Sequence, residues 1–214
     1  DVAPGVEIAG LLPPPLIDDM RFLMKQSQNQ HAEMLLRRLG LVEGGGSVED
    51  GLAIVTAMMD ETGAERAAWD LSDGSGMSTY NRVTPRTVAR LLRWTSQQPW
   101  DQQFRATLPI GGIDGTLSRR FRGTLLEGRI FAKTGTLKGT NALSGFMLTK
   151  GGEMLIFSAY ANDRPEEAGS ATVGVELQLT RADTLVAVTS PAGQAALHET
   201  MRGGQHGMHE VLSL

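Results

Sequence analysis

Cysteine is absent from this 214-residue sequence. Its absence excludes disulfide bonds, thiolate catalysis and cysteine-ligated zinc. The sequence also lacks any apolar run approaching the roughly 20 residues that a membrane-spanning helix needs. Asp1 opens the chain without the basic and apolar regions of a signal peptide. We therefore expect that the chain begins after any targeting segment or never had one.

Positive charge is not in excess either. The sequence has 20 Lys and Arg against 24 Asp and Glu, a net charge of −4, and no basic run or face. A protein that binds a phosphate backbone needs such a cluster, so nucleic acid is not an expected partner. With 41% hydrophobic residues, the chain is long enough to bury one good core, with room for a second small domain.

The first hundred residues are predicted to be mainly helical. Apolar residues recur at helical spacing up to about Gln26 and resume after Ser27-Gln28-Asn29, so two helices are predicted on either side of this tripeptide. Gly40 is predicted to stop the second helix. Ser47 is predicted to cap a third helix, and Thr84, followed by proline, is predicted to open a fourth.

Strands are predicted to follow these helices. Apolar stretches predict strands at about 129–134, 141–149 and 153–161, linked by Gly139 and by Gly151-Gly152. A run of strands after a set of helices indicates an α+β fold, an antiparallel sheet with helices packed on it. Beyond about residue 175, "VELQL" and "TLVAVTSP" begin a different β pattern. We therefore predict one domain over residues 1–174 and a short β tail over residues 175–214.

Two short motifs stand at points where chemistry is expected. Lys133 interrupts an apolar run and is followed by Thr134 and Gly135, while Ser27 and Asn29 lie at the break between two helices. An ammonium taken out of water is costly unless something pairs with it. Lys133 is therefore either a solvated edge residue or the wall of a site that needs a fixed positive charge. Asn29 could alternatively cap the second helix.

Taken together and in this order, the motifs resemble a known family, the serine-type D-alanyl-D-alanine carboxypeptidases and endopeptidases of the class C penicillin-binding proteins. The resemblance is carried by "MKQSQNQHAEMLLR", "DGSGMSTYNRVTPRTVARLL", "PIGGIDGTLSRR", "AKTGTLKGTNALSGF" and "FSAYANDRP", over roughly residues 10–172. It implies the C-terminal half of a penicillin-recognising, transpeptidase-like domain. It also implies a peptidoglycan stem peptide or a β-lactam as ligand, a periplasmic or extracellular location, and no metal or organic cofactor for the hydrolysis.

The resemblance also implies a role for each residue of the motifs. Ser27 and Asn29 would relay protons and hold the substrate amide, and Lys133 would supply positive charge beside Ser27. Thr134 and Thr136 would hold the terminal carboxylate of the substrate, and the backbone N–H of Thr136 would form half of an oxyanion hole. The implied catalytic residues are Ser27, Asn29 and Lys133, and the implied substrate-binding residues are Asp73, Ser75, Thr134, Gly135 and Thr136. The stretch from Asp73 to Gly76 is also ordinary turn chemistry, so its role could be structural alone.

The nucleophile of that family lies in an S-x-x-K motif upstream of S-x-N, and no serine of this sequence has lysine three residues on. We therefore expect that the chain lacks the half carrying the attacking serine, and that the missing half or a partner chain is needed. Alone, the chain would form no acyl-enzyme and would leave an apolar patch uncovered. The alternative function is a non-catalytic module that binds D-Ala-D-Ala peptides or β-lactams.

A cluster of histidine and methionine near the end supports a further alternative. The cluster contains His198, Met201, His206, Met208 and His209. Imidazole and thioether ligands suit copper, and methionine favours Cu(I). Residues from about 180 to 214 resemble the start of periplasmic copper-chaperone domains, with His198 and Met208 as the nearest matches and His209 where a methionine is expected. A copper-binding protein is thus one alternative, and a solvated tail without metal is the other.

Overall fold

The computed structural model describes residue 10, residues 12–162, and the backbone of three strands beyond them. In this described part the helices are α1 (Leu16–Gln26), α2 (Asn29–Gly40), α3 (Val48–Glu61), α4 (Pro85–Ser96) and α5 (Asp101–Thr107). The strands are β1 (Trp69–Asp70), β2 (Arg82–Val83), β3 (Ile130–Leu137), β4 (Thr140–Leu148), β5 (Met154–Ala161), β6 (Gly174–Gln178), β7 (Leu185–Thr189) and β8 (His209–Ser213). Short 3-10 turns lie at Arg66–Ala68 and Gly115–Leu117. The α+β fold that the sequence predicts is confirmed.

The helices begin where the capping signals predict. Ser47 accepts a hydrogen bond from the backbone N–H of Asp50, whose carboxylate in turn accepts from the N–H of Ser47, so a full capping box starts α3. Thr84 caps α4 by accepting from the N–H of Thr87. These local hydrogen bonds satisfy donors that the first turn of a helix leaves unpaired, so the helix starts could be predicted without knowledge of the packing.

Gly40 differs from its predicted role as a stop signal. It is the last residue of α2, it is buried, and it is followed by Leu41 in the right-handed helical conformation. A Cβ at this position would lie 2.9 Å from the backbone nitrogen of Gly51 and 2.9 Å from the carbonyl oxygen of Ser47. Gly40 is therefore required for the close approach of α2 to α3, and not for a left-handed helix end.

Four strands form the main sheet, in the order β3-β4-β5-β7. β3, β4 and β5 pair antiparallel, as the sequence predicts. β7 adds to β5 in the parallel direction, so the complete sheet is mixed. β6 and β8 pair with each other in a separate antiparallel ribbon. The predicted domain division at residues 174 and 175 stays a prediction.

β3 extends further than the sequence predicts. Its predicted end is at about residue 134, but Leu137 still pairs with Thr140, so that a turn of Lys138 and Gly139 joins β3 to β4. Gly139 has φ +73°, the left-handed conformation that such tight hairpins require and glycine adopts without strain. Lys133-Thr134-Gly135 therefore lies inside a strand and not at its end, because the residues before and after the motif also pair with β4.

Both faces of the sheet are covered by apolar side chains. One face of β3, β4 and β5 forms a core with the turn at 115–117 and the segment that precedes β3, through Leu117, Leu126, Ile130, Ala132, Leu143, Met147, Phe157 and Ala159. The opposite face packs against α4 and the end of α5, through Ala89, Leu92, Leu108, Phe146 and Ile156. β3 lies at the edge of this well-supported sheet, so its outer side is held at a fixed place.

The contact between β4 and β3 at Gly145 is a test of this arrangement. A Cβ at Gly145 would lie 2.1 Å from the carbonyl oxygen of Phe131 and 2.6 Å from the Cα of Ala132. We expect Gly145→Ala to lower the free energy of unfolding by about 1–3 kcal/mol, because the backbone of β3 would have to move. Gly151→Ala is the control, because a Cβ there would make only an ordinary van der Waals contact, 3.7 Å from Thr149 Oγ1. Equal stability of the two variants in urea denaturation would contradict the close contact.

Candidate active site

The two motifs of the sequence meet through a side-chain hydrogen bond. Lys133 Nζ donates to Ser27 Oγ at 2.7 Å, although the two residues are 106 positions apart. The same ammonium donates to the carbonyl oxygen of Thr134 at 2.7 Å. Lys133 is thus half-buried and paired with S-x-N, which is the arrangement expected of a residue in the wall of a site.

Ser27 occupies the corner between α1 and α2 in an uncommon backbone conformation. Its φ of 56° and ψ of 56° lie in the left-handed region, and its N–H closes the end of α1 by donating to Leu23 O. A left-handed residue other than glycine costs about 1 kcal/mol or more and persists where the surroundings hold it. Among the described residues other than glycine, Phe121 is the other one with positive φ.

The environment of Lys133 changes its acid–base behaviour. Burial disfavours the ammonium ion and lowers the pKa of Lys133 from its ordinary value of 10.5. The two oxygen acceptors described above partly compensate the charge. Lys133 can therefore release a proton to a neighbouring group at lower cost than a solvent-exposed lysine, and it can still hold positive charge beside an anion.

The open edge of β3 carries the backbone groups of Thr134 and Thr136. The N–H of Ala132 donates to Pro109 O at 2.9 Å, on the side of β3 away from β4. N–H and C=O groups of alternate residues point to the same side of an antiparallel strand. The N–H groups of Thr134 and Thr136 therefore point to the same outer side, where Lys133 reaches Thr134 O. A donor for an oxyanion at Thr136 would need this orientation.

The side chains of Thr134 and Thr136 lie on one face of β3, because successive side chains of a strand alternate. Thr134 Oγ1 donates to Thr116 Oγ1 at 2.9 Å. Gly135, on the other face, is exposed, and a Cβ there would meet the Cβ of Ala142 at 3.4 Å. The hydroxyl groups of Thr134 and Thr136, two residues apart on this face, can bind the same anion. Sequence reasoning gave Thr116 no role, although it lies in the matched stretch "PIGGIDGTLSRR".

Asn29 is the first residue of α2, and its side chain is exposed beside the corner at Ser27. The N-cap of α2 is Gln28, which makes no side-chain capping bond. Asn29 therefore does not cap α2, and the structural alternative that the sequence left open for it is wrong. Its exposed side chain belongs to a residue two positions after Ser27 in the chain.

Asp73 and Ser75 lie in a self-bonded loop. The carboxylate of Asp73 accepts hydrogen bonds from the N–H of Gly76 at 2.7 Å, the N–H of Ser78 at 2.6 Å and the side chain of Asn81 at 2.8 Å. Partial burial acts to raise the pKa of Asp73, but these hydrogen bonds outweigh burial and the pKa is lowered. Asp73 therefore holds its own loop together, whatever else it contacts.

Glu33 attaches this loop to α2. Its carboxylate accepts from the N–H of Ser75 at 2.9 Å and from the N–H of Gly74 at 3.3 Å. A Cβ at Gly74 would lie 2.7 Å from Ala32 O, so the loop backbone touches the helix. The loop thus lies about one helical turn from Asn29. Within residues 12–162, the hydrogen bonds of Asp73 and Ser75 do not join them to Ser27 or Lys133.

The predicted metal ligands are not among the residues whose side chains the structure describes. His198 and Met208 lie outside the described residues, and only the backbone of His209 is described, at the start of β8. In the described part of the chain, no three His, Cys, Asp or Glu residues group as a metal site. The helices of that part include none long and apolar enough to cross a membrane. Copper binding stays a prediction from the sequence.

An S-x-N motif facing a K-T-G motif at a sheet edge is typical of serine-type, penicillin-recognising enzymes. Comparison with known proteins agrees. The chain belongs to the D-Ala-D-Ala carboxypeptidase 3 (S13) family, whose profile matches residues 2–180. It is 41% identical over 159 residues to the D-alanyl-D-alanine carboxypeptidase of Actinomadura sp. (strain R39), covering 72% of this chain and 29% of that protein.

Further relatives come from Haemophilus influenzae. The chain is 34% identical over 164 residues to the D-alanyl-D-alanine carboxypeptidase DacB of that organism, covering 74% of this chain and 34% of DacB. The fold is similar to the crystal structure of penicillin binding protein 4 (dacB) from H. influenzae complexed with a β-lactam. The TM-score is 0.62 at 27% identity, with 88% of this chain and 41% of that chain covered. The chain thus spans less than half the length of these relatives.

The lowered pKa of Lys133 makes the stability of the fold depend on pH. Between the lowered pKa and the ordinary value of 10.5, the unfolded chain binds more protons at Lys133 than the folded one. Stability from this residue therefore increases as pH rises through that interval and is lost as pH falls through it. Methionine does not titrate. We therefore expect Lys133→Met to become less stable relative to wild type as the pH rises through that interval. Parallel pH profiles for the two proteins would contradict a lowered pKa.

Proposed function

We propose that this chain forms the substrate-recognition part of the active site of a serine-type D-Ala-D-Ala carboxypeptidase or endopeptidase. Its substrates would be peptidoglycan stem peptides, outside the cytoplasm, and β-lactams would bind as analogues. The observation that carries the proposal is the hydrogen bond from Lys133 Nζ to Ser27 Oγ, which joins two motifs of the family in one place. Membership of the S13 family supports it.

Acyl transfer from a D-Ala-D-Ala peptide needs a serine nucleophile, a group that takes its proton, and donors for the developing oxyanion. The nucleophile would come from a segment outside this sequence. Lys133 and Ser27 would then move the proton from the nucleophile to the leaving amine, since their hydrogen bond and the lowered pKa of Lys133 suit proton exchange. Asn29 would hold the substrate amide. Water would release the acyl group, and no cofactor is proposed for either step.

Recognition of the substrate would take place at the open edge of β3. An extended peptide can add to such an edge through main-chain hydrogen bonds. The N–H of Thr136 would then donate to the carbonyl oxygen under attack. The hydroxyl of Thr136 would hold the terminal carboxylate, and so would that of Thr134 once its proton turns from Thr116 to the substrate. The ammonium of Lys133 would add a charge-assisted interaction. Asp73 and Ser75 would line the site from the loop on α2.

Penicillin labelling of the natural protein that carries this sequence, with whatever precedes Asp1, tests the proposal. We expect a covalent adduct in the mass spectrum of the intact protein. Lys133→Met should slow acylation by about 10²–10³-fold, the loss typical when one donor to the developing charge is removed. Lys150→Met is the matched control, because Lys150 is exposed at the turn between β4 and β5.

The outcomes separate the enzyme from the binding module. Isolated residues 1–214 should give no covalent adduct, because no S-x-x-K motif is present. Slow labelling of Lys133→Met with normal labelling of Lys150→Met supports the enzyme. Reversible binding of penicillin by the natural protein, with no adduct under any condition, contradicts the enzyme and leaves the non-catalytic module. Equal labelling rates of the two lysine variants would remove Lys133 from the mechanism.

A further inference from the structure

The connection between α5 and β3 links both halves of the candidate site. The first part of this connection, from Leu108 to Thr116, is called the 108–116 loop. Lys25, two residues before Ser27, donates from Nζ to Leu108 O at 2.7 Å and to Asp114 Oδ2 at 2.6 Å. At its other end, Thr116 accepts the hydrogen bond from Thr134. The loop therefore contacts the S-x-N side and the K-T-G side at once.

The ion pair between Lys25 and Asp114 is less exposed than the other ion pair of α1 and has a second contact that fixes its geometry. The side chain of Lys25 is 13% exposed and that of Asp114 is 38% exposed, against 47% and 49% for the pair of Arg21 and Asp18 on the same helix. The second oxygen of Asp114 accepts from the N–H of Ile110 at 2.9 Å. Removing one partner of such a pair leaves an uncompensated charge, which costs more than losing an exposed pair.

The backbone of the loop also touches α1. Gly115 has φ +56°, and a Cβ there would lie 2.7 Å from Lys25 O and 3.1 Å from the Cβ of Pro109. The last turn of α1 is therefore held by a direct backbone contact as well as by charge. Ser27 follows this turn, in the left-handed conformation that needs support from its surroundings.

We propose that the ion pair of Lys25 and Asp114 positions Ser27 for the reaction, by holding the end of α1 where Ser27 Oγ stays within hydrogen-bond reach of Lys133. This inference rests on the proposed function for its effect on catalysis. Neither side chain contacts the reacting groups described above, so both are positioning residues. A misplacement of about 1 Å at a reacting group can cost about 100-fold in rate.

Asp114→Asn in the natural protein tests the proposal. Asparagine keeps the shape and the acceptor for Ile110 but removes the charge that faces Lys25. We expect acylation by penicillin to slow by about 10–100-fold. We also expect the titration of Lys133, followed by the NMR shift of its labelled Cε carbon, to differ from that of the wild type, because moving Ser27 takes away one of the two oxygen acceptors of the ammonium and changes its burial. Lys25→Arg keeps the charge and the donors, so it should retain most of the wild-type rate.

The matched control is Asp101→Asn. Asp101 pairs with Arg105 at the same 2.6 Å separation, with 17% and 25% exposure respectively, but within α5. We expect this variant to lose thermal stability without a change in acylation rate or in the titration of Lys133. A purely structural role for Asp114 would make the two variants behave alike, and that result would overturn the proposal.

The two readouts separate this proposal from the proposed function. If the wild-type protein forms no penicillin adduct, the proposed function fails, but the titration of Lys133 still decides the positioning. A shift of that titration in Asp114→Asn and not in Asp101→Asn then supports the positioning. A wild-type titration in Asp114→Asn overturns it, even if the enzyme proves active.

Discussion

The hydrogen bond between Lys133 and Ser27 is the interaction on which the candidate site depends. It joins the edge of a sheet to the corner between two helices, which are far apart in the sequence. A buried ammonium must find acceptors, and Ser27 Oγ and Thr134 O are the ones this fold provides. The position of the corner and the position of the edge are therefore coupled, and each is supported by its own packing.

The support on the sheet side is apolar, and the support on the helix side is polar. β3 is fixed by cores on both faces of the sheet, where Phe146 and Phe157 are almost completely buried. The end of α1 is held by Lys25, Asp114 and the close approach of Gly115. Packing of this kind has few alternative arrangements, so the distance between the two motifs is set by the whole fold.

The parts of the fold that depend on local chemistry could be predicted from the sequence. The capping box at Ser47 and the cap at Thr84 follow from short-range hydrogen bonds, and both are found where the residues indicate. The length of β3 and the function of Gly40 were not accessible in this way. Both depend on the neighbouring segment, which is β4 for the strand and α3 for the glycine. The local sequence pattern does not show which segments will lie next to each other.

The same division applies to the candidate site. The short motifs identify Ser27, Lys133 and Thr134, because their residue types and order are distinctive. Lys25, Glu33, Asp114 and Thr116 carry no such signal, since an isolated charged or hydroxyl residue is ordinary on a protein surface. Only the fold shows that Glu33 holds the loop of Asp73 and that Thr116 meets Thr134.

A crystal structure of the natural protein after reaction with penicillin tests the central claim most directly. The account predicts that the carboxylate of the bound drug lies within hydrogen-bond distance of the hydroxyl groups of Thr134 and Thr136. It also predicts that the acyl carbonyl oxygen accepts from the N–H of Thr136, with Lys133 still bonded to Ser27. A drug molecule bound away from the edge of β3, or one whose carboxylate faces other residues, would contradict it.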